Sequence, residues 1–165
     1  MFRTIADFEK SWNSESDATL KVLRALTDAS LAQRVTPDGR TLGKIAWHII
    51  QSVPEMLATA KLPVAYTGEP PLPAQAGDFV VAWQQWAQGA LVAVKENWTD
   101  AGMLEEIEMY GEKWTRGFTL SVLIVHAVHH RGQMTVLMRQ AGLVVPGVYG
   151  PAREEWAAYG MPAQE

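Results

Sequence analysis

Apolar residues return every three or four positions along four separate stretches of the chain, a period that predicts helices. The first runs from about Thr4 to Leu26, with Ile5, Phe8, Trp12, Thr19, Val22 and Leu26 on one face and Glu9, Lys10, Glu15, Lys21 and Arg24 on the wet side. Pro37-Asp38-Gly39 then marks a turn, and Thr41 is placed to cap a second helix whose stripe is Leu42, Ile45, Ile49, Val53 and Met56. Pro54 lies inside that stripe and predicts a kink or an early end, because it has no backbone N–H. Residues 61–77 carry four prolines and two glycines and predict a crossover loop. A third helix is expected from about Asp78 to Trp98, with Phe79, Trp83, Trp86, Ala90, Val94 and Trp98 facing inward. Residues 101–116 lack a helical period, and the alternation in Glu106–Gly111 suits a short strand or extended turn.

The fourth stretch, from about Phe118 or Thr119 to Ala141 with a stop at Gly142, is apolar nearly all round. A helix of that kind is central or is covered by another subunit. The tail after it, with Pro146, Pro151 and Pro162, predicts at most one helical turn near Glu154–Ala158. Four long helices with a long second connection predict an all-α four-helix bundle in a single domain over residues 1–165, its core at about 3–142 and a tail at 143–165.

Composition narrows the functions. A chain of 165 residues buries roughly 70% of its unfolded surface as one domain and needs no staple. The absence of Cys excludes a thiolate nucleophile and a cysteine-based zinc site. A net charge of −4 without a dense basic run argues against nucleic acid. The sequence shows neither an apolar signal region nor a run of about 18 apolar residues, so no membrane partner and a cytoplasmic location are expected.

The chemistry concentrates in histidine. Three of the four lie together, at His126, His129 and His130, and the fourth is His48 in the second helix. At about 100° per residue, His126 and His130 stand about 40° apart and one turn apart, so both imidazoles can aim at one point. His129 lies about 60° from His126 on its other side and about 100° from His130, which makes it the weaker partner. A histidine on an apolar face is more often a hydrogen-bonded core residue than a ligand. Three converging imidazoles, however, are hard to satisfy without a metal or water. A zinc peptidase of the H-E-x-x-H type is excluded, since Ala127 occupies the position of its glutamate base.

The string His126-Ala127-Val128-His129-His130-Arg131-Gly132-Gln133 resembles the terminal signature of the DinB-like superfamily. Thr41-Leu42-Gly43-Lys44-Ile45-Ala46-Trp47-His48-Ile49 resembles the second-helix segment of the same family. The resemblance covers about residues 3–142. It implies an up-up-down-down bundle, usually a homodimer, with a divalent metal held by His48, His126 and His130. Zinc and nickel are the metals associated with the family, and characterised relatives transfer low-molecular-weight thiols such as bacillithiol or mycothiol. The family name evokes DNA damage, which the charge balance does not support.

Around those ligands, His129, Arg131, Gln133, Glu55 and Tyr110 are the expected second-layer or pocket residues. Arg131 either steers an anionic substrate or makes a salt bridge at the bundle end. Gly132 would let a neighbouring helix approach. Glu55, about 10 Å along the helix from His48, can line a pocket mouth without reaching the metal, and Tyr110 with Trp114 can overhang the site. Two functional readings stay open: a metal-dependent thiol transferase (a hydrolase if water replaces the thiol), and a non-catalytic metal- or ligand-binding stress protein. Thiol-conjugation assays separate them, and elemental analysis separates both from a third reading, histidines packed in a core without metal.

Overall fold

A computed structural model describes residues 1–163. Four long helices dominate it: α1 Ile5–Leu23, α2 Leu42–Thr59, α3 Ala76–Asn97 and α4 Arg116–Gln140. Three are capped, α2 as its sequence suggests, with Thr4, Thr41 and Thr115 hydroxyls accepting from backbone N–H groups of Asp7, Lys44 and Phe118. α1 and α2 each pack against both α3 and α4. Trp12 and Trp83 fill the seam between α1 and α3, and their buried indole N–H groups donate across it to the Ala87 and Ser16 carbonyls at 2.8 and 3.1 Å.

Three expectations need correction. The chain is mostly helical and not all-α, because Glu106–Met109 (β1) and Glu112–Thr115 (β2) pair antiparallel. The alternation before Gly111 suggested the first strand. The second, Glu-Lys-Trp-Thr, has no clean period and is defined by its turn. Tyr110 and Gly111, with φ of 54° and 83°, form the two-residue left-handed turn whose twist matches that of paired strands. Of the two outcomes expected at Pro54, a kink or an early end, the early end does not occur, and α2 continues to Thr59. Buried Val53, Met56 and Leu57 hold the helix past the one lost donor.

The tail is also better packed than expected. Arg153–Tyr159 forms a longer 3₁₀ segment, and Val145 is buried, so the core reaches beyond residue 142. The Glu155 carboxylate fastens the segment by accepting from the Gly147 and Ala152 N–H groups, each at 3.0 Å. At the other end of the chain, Gly117 seats the N-terminus: a Cβ there would stand 1.9 Å from the Phe2 carbonyl oxygen. No helix among the described residues is long and apolar enough to cross a membrane.

Candidate metal centre

The seam between α2 and α4 brings His48, His126 and His130 together. Each offers a ring nitrogen, and these nitrogens lie within 4.8 Å of one another. The rings meet edge to face, with centroids 4.9 Å (His48–His126), 4.6 Å (His48–His130) and 4.5 Å (His126–His130) apart. The two Nε2 atoms of His48 and His126 are 3.2 Å apart. Two nitrogens bound tetrahedrally to one zinc at about 2.0–2.1 Å would lie roughly 3.4 Å apart, so the spacing suits a shared cation.

Among the described residues, one nitrogen at this cluster has no partner. His126 Nδ1 is buried and has no hydrogen-bond partner among the described residues. His130 is better placed: its Nδ1 lies 2.7 Å from Gln133 Oε1, an acceptor that requires the proton on Nδ1 and leaves Nε2 a free lone pair. Burial lowers the basicity of all three rings, and mutual repulsion adds to it. His126 falls furthest, to about 4, through burial first and then the neighbouring His130 and His48. His48 is lowered by burial and by His130, and His130 by burial against an opposing hydrogen bond from Gln133. At neutral pH the rings are therefore neutral, the state a metal requires of imidazole. Three neutral imidazoles whose ring nitrogens converge, one of them oriented by an amide, fit a divalent transition metal.

The surrounding residues divide into those at the site and those elsewhere. Gln133 joins His130 to exposed His129, its Nε2 lying 3.3 Å from His129 Nε2. His129 is thus adjacent to the cluster and outside it, as the helical angles require. Tyr110 donates to Glu55 Oε2 at 2.7 Å, and Thr59 lies 3.3 Å from Glu55 Oε1, so the hairpin tip is tied to α2 two turns beyond His48. Burial and the hydrogen bond to Glu55 raise the Tyr110 phenol, which stays protonated as a donor. The Glu55 carboxylate itself opposes the lowering of His48.

Arg131 points away from the histidines. It is 2% exposed, and its guanidinium donates to the Glu15 carboxylate at 2.6 Å, the Glu15 carbonyl at 3.1 Å and the Thr19 hydroxyl at 3.0 Å. The Tyr149 hydroxyl accepts from it as well. The salt-bridge alternative describes this residue, and the substrate-steering one does not. A cavity of about 520 Å³ beside it lies between α4 and the tail, and none of the three imidazoles lines it. Gly132 makes no close helix contact within the chain, since a Cβ there would meet nothing within 4 Å.

Arg40, in the loop before α2, was not legible as a site residue. It borders both openings next to the cluster: a cleft of about 230 Å³ with His48, Lys44 and Glu69, and one of about 470 Å³ with His130 and Gln133. Its positive charge adds to the lowering of all three imidazoles. The sequence holds no signal for it, because it belongs to no periodic face and no motif.

The profile of the DinB family matches residues 1–165. The protein YrdA of Bacillus subtilis strain 168, described as uncharacterized, is 45% identical over 164 residues, covering 99% of this chain and 98% of its own. The crystal structure of a DinB-like protein from Bacillus cereus ATCC 10987 superposes with a TM-score of 0.85 at 40% identity, over 90% of this chain and 100% of the other. A second DinB-like protein, YjoA of Bacillus subtilis, shares the fold with a TM-score of 0.67 at 15% identity, over 86% and 97% of the two chains. The chain belongs to the DinB family.

Proposed function

We propose that this protein binds one divalent metal, zinc or nickel, through His48, His126 and His130 and uses it to activate a low-molecular-weight thiol for transfer to an electrophile. The observation that carries the reading is the donor set: three neutral imidazoles on two helices, bordered by open clefts and with no carboxylate among them. Three protein ligands leave a coordination position for a reactant, the pattern of catalytic and not structural metal sites. When bound, the metal supplies Lewis acidity that lowers the pKa of a thiol toward neutrality.

The chain's own residues do the rest. Gln133 fixes the His130 tautomer by accepting a hydrogen bond from its Nδ1–H. Arg40 gives both clefts a positive edge that favours an anionic reactant. Tyr110 and Glu55 hold the hairpin against α2. Helices α1 and α2, each flanked by α3 and α4, are consistent with the up-up-down-down bundle. A homodimer would cover the outer face of α4, where Val125 is 65% and Val136 55% exposed with open Gly132 between them.

The test is an assay of metal-loaded protein with bacillithiol, mycothiol or glutathione against a dinitrophenyl halide. In the expected reaction the thiolate sulfur forms the new carbon–sulfur bond, halide leaves and the thiol proton passes to solvent. Turnover with at least one thiol, lost in His126→Ala, is expected. Metal-bound protein that fails to accelerate any of the three would support the non-catalytic metal- or ligand-binding reading.

A further inference from the structure

Arg40 borders two clefts that reach different imidazoles of the trio, and their walls differ in character. The wider one, beside His130, is walled by Val35, Ile45, Val136 and Leu137. The smaller one, beside His48, has a volume of about 230 Å³ and brings together Arg40, Lys44 and Glu69. These three charged residues are exposed. None of them takes part in an ion pair among the described residues, in contrast to Arg116, Arg131 and Arg139, each of which has its own carboxylate. Two cations and one anion thus share a small cleft without neutralising one another. The wall that carries Glu69 is anchored, since the Trp47 indole donates to the neighbouring Pro70 carbonyl at 3.1 Å. Pro70, Pro71 and Pro73 stiffen it further.

We infer that the cleft beside His48 is the subsite of the thiol and recognises an α-amino-acid head, its carboxylate held by Arg40 and Lys44 and its ammonium by Glu69. That the occupant is a thiol rests on the thiol-transfer reading; its charge pattern rests on the cleft. Guanidinium and ammonium donors match a carboxylate, and hydrogen bonds between charged partners are the strong ones. Glu69 opposes a plain anion, so the set selects a molecule carrying both signs. A head of cysteine's size fits, since benzene, which is similar in size, occupies an engineered cavity of about 150 Å³. Burial and His130 lower the basicity of His48 most; Arg40 adds to that lowering and Glu69 opposes it, so both charges reach the ring. A head group held between them therefore lies beside the imidazoles. The wider cleft, with its apolar walls, leaves an uncharged electrophile a separate approach, so two reactants do not compete for one opening.

The experiment titrates the full chain, stripped of metal with a chelator, with S-methyl-cysteine and two analogues. S-methyl-cysteamine lacks the carboxylate, and N-acetyl-S-methyl-cysteine lacks the ammonium. S-methyl-cysteine is expected to shift the Arg40 side-chain and Trp47 indole resonances and to bind about tenfold more tightly than either analogue, the loss of one charged contact. Lys44→Met should reduce the preference over S-methyl-cysteamine, and Lys44→Arg should restore it. Glu69→Gln should reduce the preference over the N-acetyl compound. Equal affinity for the three compounds, shifts confined to Val35 and Leu137 of the other cleft, or unchanged preferences in Lys44→Met and Glu69→Gln would overturn the inference. The three-compound comparison on wild type decides the question even if a variant does not fold. Binding is read here without turnover. Charge-selective binding by a protein inactive with every thiol would sink the transfer reading alone, and turnover without charge-selective binding would sink this one alone.

Discussion

Helix α4 carries two polar groups on different sides, His126 facing α2 and Arg131 facing α1 and the tail, and the fold treats them in opposite ways. Arg131 is surrounded by acceptors from Glu15, Thr19 and Tyr149. His126 sits among two other imidazoles with a buried nitrogen that no described residue satisfies. A completed polar network locks a helix seam, whereas an incomplete one leaves capacity for something from outside. The string that joins these residues, His-Ala-Val-His-His-Arg-Gly-Gln, therefore holds a structural clamp and a candidate metal centre together.

The comparison predicts that damage on the two sides will read out differently. The largest effect on folding is expected from Arg131→Ala, which strands the Glu15 carboxylate and should cost about 3 kcal/mol or more by urea denaturation. The metal affinity of the protein that remains folded should be unchanged. A loss of metal affinity there would show that the two sides are coupled. On the histidine side, Gln133→Leu removes the acceptor that orients His130 and should weaken metal binding about tenfold or more, with little change in stability. A Gln133→Leu variant with wild-type affinity would mean that the hydrogen bond does not hold the ring for a metal.

A further effect is the pH response of the metal-free protein. The three imidazoles bind protons less readily when folded than when unfolded, and His126 is held near about 4. The unfolded chain therefore takes up more protons in acid, and stability should fall as pH drops from about 6.5 toward about 4. The contribution is fully present above the unfolded pKa. Denaturation of His126→Ala over the same range should show a shallower decline, and an identical one would remove His126 from the explanation.

The sequence made the histidine side more legible than the arginine side, for a geometric reason. Helical spacing selects His126 and His130 directly, and the family resemblance adds His48. Gln133 follows from its position about 60° from His130 around the helix. Arg131 is adjacent to His130 in sequence but about 100° away around the helix, and only the tertiary structure reveals Glu15 and Tyr149 waiting on that side. Arg40 depends on where its loop comes to rest, which no period encodes. The second strand of the hairpin was missed for a related reason: its identity comes from pairing with β1 through the Tyr110-Gly111 turn, not from its own residues.

The central claim rests on whether the unsatisfied histidine cluster holds a cation. Elemental analysis of purified wild-type protein and His130→Ala at neutral pH, with each variant checked for folding, tests it most directly. The account predicts about one equivalent of zinc or nickel per chain in the wild type and nearly none in the variant. Equal metal content in the two proteins, whether full or negligible, would contradict it.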